Sequence, residues 1–317
     1  MRHQEVNEIY YSRAMSLTLE NRVTRDFQWL IDAVIQNPEL DFQTGSNNTA
    51  TWFSVYRGTG RILTINEQGN AYADRKYMNL LPDFYHKPDI QGLKTLLDKI
   101  HDEHSLDRYY MTNEGKKKEG FYQNLISRRY SLFCRPDDEF IIIDKEFVLG
   151  YSSDSIKEKI TKPIIEKYDG IIQSLADIHP SFKNIKQPGT ECDFVALTRT
   201  GDIILLELKR YEDSRKIYLS PIQASKYDDL TREYAKKYFD DFCKGISSMV
   251  SQKISMGILR PQWKVPTKLS GKILPAVVVG GNASDEAQKR FIMVRNAVGK
   301  DIPLYTCDNE GTLIKIL

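Results

Sequence analysis

Apolar and polar positions change period several times along the chain, and each change predicts an element. Over 17–37, Phe27, Leu30, Ile31, Val34 and Ile35 recur at helical spacing, so an amphipathic helix is expected to stop before Pro38. A polar loop is expected over 43–49. Strands follow over 51–56 and 61–66, joined across Arg57-Gly58-Thr59-Gly60, and Gln68-Gly69-Asn70 turns the chain into a third over 71–77. The span 80–88, aromatic and proline-bearing, reads as a packed connection. A helix over 91–101 places Leu93, Leu96, Leu97 and Ile100 inside, and 139–149 reads as a strand pair turned at Asp144-Lys145.

Beyond residue 150 the runs lengthen. Ile160, Ile164, Ile165, Tyr168, Ile172 and Leu175 form the apolar stripe of a helix over 154–178, with Pro163 in its first turn or at a kink. A strand is expected over 183–186, ending at Pro188-Gly189. Two apolar runs, 192–198 and 202–209, flank Arg199-Thr200-Gly201, a hairpin signal. A helix with Pro221 near its mouth continues, with a break, to about residue 256, and a loop over 257–270 follows. That loop carries Arg260, Trp263, Lys264 and Lys268, which would touch a substrate or a partner subunit. A buried strand over 272–280, a helix capped by Ser284 and closing strands over 302–306 and 312–316 complete the chain. The expected domains are 1–150, a small α+β domain of recognition or regulation, and 151–317, an α/β domain with a mixed sheet.

The hairpin loop decides what chemistry the second domain can carry. A three-residue loop with Gly201 in the left-handed region pairs Thr198 with Asp202 and sets Asp193 opposite Glu207. A two-residue loop would put them on opposite faces. Side chains alternate along a strand, so Lys209 shares the face of Glu207. Both faces of the hairpin are otherwise apolar, which marks it as central and makes unpaired charge costly. Two facing carboxylates repel, and a hard divalent ion with oxygen ligands, Mg²⁺ above all, relieves the repulsion. Lys209 beside that ion would position or deprotonate a water, which amounts to metal-assisted phosphodiester hydrolysis.

Asp193, followed after thirteen residues by Glu207-Leu208-Lys209 and then by Gln223 and Tyr227 at helical spacing, resembles the PD-(D/E)xK nuclease superfamily over about the last half of the chain. The resemblance implies a restriction-endonuclease-like αβββαβ core with a mixed sheet. It implies Asp193 and Glu207 as ligands of Mg²⁺ or Mn²⁺, Lys209 as the water-activating residue, and Gln223 and Tyr227 as supporting groups. The first helix of such a core often adds an acidic residue. Glu166 is the candidate and Glu158 the second, each equally readable as a solvated helical carboxylate. Arg210 and Lys226 are the expected nucleic-acid contacts. Cys192, where the motif has proline, is the one departure. The implied activity is an endodeoxyribonuclease in restriction or phage defence, similar to Shedu-type proteins, whose C-terminal nuclease domain follows a variable N-terminal region. The alternative is a binding or interaction module that keeps the nuclease fold without its chemistry.

Composition adds little to this. The 317 residues are 41% hydrophobic and 28% charged with a net charge of +2, so a phosphate footprint must come from local clusters. One such cluster interleaves Arg108, Lys116, Lys117, Lys118, Arg128 and Arg129 with Tyr109, Tyr110, Phe121, Tyr122 and Tyr130. Glu114 and Glu119 dilute it, which favours a solvated face over a binding one. Gly58-Thr59-Gly60 lacks the lysine and helix of a P-loop and reads as a tight turn. His101 and His104, one turn apart without a third ligand, read as surface histidines. Cys134, Cys192, Cys243 and Cys307 are scattered, as in reduced cytosolic proteins, and no apolar run has signal or membrane-spanning length. The expected setting is the cytoplasm, with nucleic acid, DNA before RNA, and a second copy of the chain as partners.

Overall fold

A computed structural model describes residues 7–11, 13–47, 50–74, 90–102, 110–111, 115–185, 189 and 191–317. The features expected at His104, Arg108, Tyr109, Glu114, Lys186 and Pro188, the connection over 80–88 and the end of the strand expected over 71–77 lie outside these residues. Contacts divide the chain into two units, one of residues up to Tyr11, 139–245 and 263–317, the other of 12–138 and 246–262. The expected single boundary at 150 is thus replaced by several crossings, because a strand before it and a segment long after it each join the other unit.

The unit of 12–138 and 246–262 is built on an antiparallel sheet in the order β2 (Leu40–Ser46), β3 (Thr51–Arg57), β4 (Gly60–Asn66), β5 (Ala71–Ala73). β2 falls largely in the expected polar loop. Gln43 and Thr44 are buried on it, and Gly45 lets the Trp52 ring lie against the backbone where any Cβ would clash. The helix expected over 17–37 is two, α1 (Leu17–Asp26) and α2 (Gln28–Gln36), broken at Phe27, whose φ of −122° and ψ of 20° leave the helical region. With α3 (Ile90–Asp102) they bury Leu19, Val23, Leu30, Val34, Leu93 and Leu96 against Phe53, Val55 and Leu63, and Met256 and Ile258 join the same cluster. The Gly-Thr-Gly turn is a hairpin corner: Gly58 has φ +58°, and a Cβ there would meet Gly120 Cα at 2.8 Å.

Around α4 (Glu119–Arg129) part of the basic and aromatic cluster turns inward, while Lys116 is exposed and Lys117 and Lys118 are half-exposed. Arg128 Nη1 donates to Val34 O at 3.0 Å and Leu40 O at 2.8 Å, and Nη2 to Ile35 O at 2.8 Å. A cation thereby satisfies carbonyls at the end of α2, which the helix itself leaves unbonded. Arg129 forms a bidentate pair with Asp138, both bonds 2.7 Å. Tyr110, Tyr122 and Tyr130 are buried with them.

The other unit holds a six-stranded mixed sheet in the order β12-β11-β10-β9-β8-β6 and a short antiparallel pair, β1 (Ile9–Tyr10) with β7 (Gly150–Tyr151). Its strands are β6 (Phe140–Phe147), β8 (Cys192–Thr198), β9 (Ile203–Arg210), β10 (Ile273–Gly280), β11 (Leu304–Cys307) and β12 (Leu313–Lys315). β10 runs parallel to both β9 and β11, while β6, β8 and β9 alternate in direction. α5 (Asp154–Ile178), the first part of α6 (Ser214–Ser255) and α7 (Asp285–Val298) pack Tyr168, Ile172, Ile217, Ile222, Phe291 and Val294 with Val277 and Val279 of β10. Among the described residues no helix is long and apolar enough to cross a membrane.

Three expectations fail here for local reasons. The strand pair over 139–149 is one strand: a bulge between Ile142 and Asp144 keeps β6 paired with β8, and Asp144 and Lys145 are buried in the ladder instead of turning. Among the described residues 183–185 the strand expected over 183–186 does not form, because Pro180–Phe182 is a 3₁₀ turn and Asn184 has φ +55°. The outer partner of β8 is therefore β6, and a strand precedes α5 where the αβββαβ order has none. Pro221 lies inside α6 instead of at its mouth. It has no N–H for the carbonyl of Ile217, and Ser220 Oγ donates to that carbonyl at 2.6 Å. The expected break in this helix is at Tyr238, with φ −133°.

Candidate metal-assisted active site

The hairpin of β8 and β9 has the three-residue loop. Thr198 N donates to Asp202 O at 3.0 Å, Gly201 N to Thr198 O at 3.1 Å, and Gly201 has φ +87°. The ladder pairs Leu197 with Ile203, Ala196 with Ile204, Val195 with Leu205 and Phe194 with Leu206. The paired ladder ends there; the same register carried one step further would set Asp193 opposite Glu207, on one face.

The three ionisable groups meet at this end. Asp193 Oδ2 accepts the Leu208 N–H at 2.7 Å, and Glu207 Oε1 accepts a hydrogen bond from Lys209 Nζ. Glu207 is 1% exposed and Lys209 8%, while Asp193 is half-buried. Their burial follows from the sheet: β9 lies between β8 and β10, and Val277 and Val279, the parallel neighbours of Glu207 and Lys209, belong to the core under α5, α6 and α7.

α6 brings Gln223 and Tyr227 to the same place, one turn apart, with Gln223 Nε2 donating to the Tyr227 hydroxyl. Burial, first, and then Glu207, with Cys192 and Asp193 adding to it, push the Tyr227 phenol far up, against a lowering by Gln223. Tyr227 thus stays protonated and lies in the field of both carboxylates. Cys192 senses the same groups. Burial, Glu207 and Asp193 raise its thiol well above the ordinary range, and its Sγ lies 3.3 Å from Phe194 O and 3.4 Å from Leu206 O. It is a structural thiol, with thiolate chemistry suppressed.

Other expected members stand apart. Glu158 and Glu166 are exposed on α5, as solvated helical carboxylates are. Lys226 is 2% exposed, too buried to touch a solvent-borne strand, and burial lowers its pKa against a smaller raising by Asp169. Arg210, half-exposed at the end of β9, pairs with Glu212. On the loop after α6, Trp263 lies under the Arg199 guanidinium at 5.4 Å. Sequence reasoning missed Asp144, a buried carboxylate on the face of Asp193. It pairs with Val195 in the ladder, and its Oδ2 accepts the Tyr11 hydroxyl at 2.7 Å. Its signal was the lack of glycine or asparagine in a supposed two-residue turn.

Among the described residues no group of three or more His, Cys, Asp or Glu side chains is placed to hold a metal ion. A pair of carboxylates on one face nevertheless suits Mg²⁺, which keeps several waters and takes one or two protein carboxylates. The donor set of Asp193 and Glu207 is hard oxygen and fits that ion. No protein-family model matches the sequence, and comparisons with curated proteins and with solved structures return no match.

Proposed function

We propose that the chain is a metal-dependent phosphodiesterase acting on nucleic acid, an endodeoxyribonuclease, built on a restriction-endonuclease-like sheet. The observation that carries the reading is the register of β8 and β9, which brings Asp193, Glu207 and Lys209 to one end of a buried hairpin. Asp193 and Glu207 would hold Mg²⁺ or Mn²⁺, whose chemistry when bound is to polarise the scissile phosphate. Lys209 orients the attacking water through its ammonium hydrogens. Tyr227, kept protonated, and Gln223 position the carboxylate end. Restriction or phage defence, similar to that of Shedu-type proteins, is the proposed role, with the other unit in recognition or regulation.

One observation favours a second reading, a nuclease-fold module without chemistry: both carboxylates already have protein partners, Asp193 in the Leu208 N–H and Glu207 in Lys209. Cleavage assays separate the two. The nuclease reading expects plasmid or single-stranded DNA to be cut with Mg²⁺ or Mn²⁺, and the cutting to fall by at least about a hundredfold in Asp193→Ala and in Lys209→Ala. Intact substrates across DNA, RNA and both metals leave only the binding module.

A further inference from the structure

A cavity of ≈ 250 Å³ lies between the end of β6, the strand β7, the N-terminal half of α5 and the middle of α6. Its walls include Ile165, Leu230 and Tyr227, whose phenol is within electrostatic reach of Glu207 and Asp193. Three polar groups face it without being used by the fold. Thr231 is fully buried, and its Oγ1 has no hydrogen-bond partner. Lys157 is exposed and makes no ion pair among the described residues. Tyr151 is half-buried, and burial pushes its phenol up to about 12, so it is a hydrogen donor at neutral pH. A buried hydroxyl without a partner is rare in a folded protein, and a bound molecule that accepts from it removes the cost.

We infer that this cavity binds a small amphipathic anion: a ring-sized apolar body against Ile165 and Leu230, an acceptor towards Thr231 and Tyr151, and an anionic group at Lys157. Such a combination of apolar walls and a few placed polar groups is what small-molecule sites have in common. The shared chemistry fits an aromatic carboxylate and a nucleoside monophosphate alike. Because Tyr227 lines the cavity and is within electrostatic reach of the carboxylate pair, the occupant lies near the proposed active site. The inference does not rest on catalysis there.

Isothermal titration calorimetry on the full chain tests it with two probes, 2-naphthoate and adenosine 5′-monophosphate. At least one is expected to bind one-to-one, and which one does so identifies the source. Thr231→Val keeps the side chain's shape and removes only an unsatisfied hydroxyl, so it folds, and it is expected to weaken binding about fivefold. Lys157→Gln, on the surface, is expected to weaken it about tenfold. Asp193→Asn is expected to bind as the parent does, which keeps this test apart from that of hydrolysis. No binding of either probe at millimolar concentration, or unchanged affinity in both Thr231→Val and Lys157→Gln, overturns the inference and leaves a water-filled cavity.

Discussion

Asp229 shows how a single carboxylate ties the larger sheet's helices together. Burial alone would raise its pKa, but hydrogen bonds from Lys167 at 2.8 Å, Lys300 at 2.5 Å and Tyr168 at 2.9 Å outweigh it, and the net shift is downward. Lys300 also reaches Asp228 at 2.7 Å, so helices α5 and α6 and the turn after α7 share one charged network. A depressed carboxylate pKa stabilises the folded state fully above the unfolded value of about 4, and that contribution is lost as pH falls through the folded value. The urea midpoint is accordingly expected to drop as pH goes below about 4, and Asp229→Asn to flatten that drop. Equal slopes in the two proteins would refute this assignment. Networks of this kind are invisible in sequence, since the partners lie 61 to 72 positions apart. The same blindness made Arg128 and Arg129 look like surface cations. Nothing in their spacing reveals that four carbonyls and an aspartate wait for them inside.

At the scale of elements, what could be read was whatever depends on period and turn chemistry. The three-residue loop and its glycine were legible, and with them the hairpin register as far as Phe194 and Leu206, because strand side chains alternate strictly and a slip of one residue exchanges the faces. Gly201 also meets its neighbours closely: a Cβ there would lie 2.6 Å from Lys268 O. Gly201→Ala is expected to cost about 2 kcal/mol or more in urea unfolding, from the left-handed φ and from that contact. A loss below about 0.5 kcal/mol would mean the loop adopts another geometry. β2 and β6 were not legible. Gln43 and Thr44 are polar yet buried, and Asp144-Lys145 interrupts an apolar run without turning the chain. In both, pairing with a neighbouring strand overrides the local signal.

For the molecule as a whole, the two compact units are not two consecutive stretches of chain. A fragment of residues 151–317, the domain expected from sequence, lacks β6 and so exposes the edge of β8, whose Phe194, Val195, Ala196 and Leu197 are buried in the full chain. Unpaired apolar edges recruit other strands. This fragment is expected to aggregate or to lose cooperative unfolding, as judged by size-exclusion chromatography and thermal melts. A monomeric, cooperatively folded fragment would contradict the placement of β6. The central claim, that Asp193 and Glu207 share one ion, is tested most directly by anomalous diffraction from a crystal soaked in Mn²⁺. The account predicts a peak about 2.1 to 2.2 Å from a carboxylate oxygen of each residue, with Lys209 shifted off Glu207. A fully soaked crystal with no peak there, and Lys209 still bonded to Glu207, would contradict it.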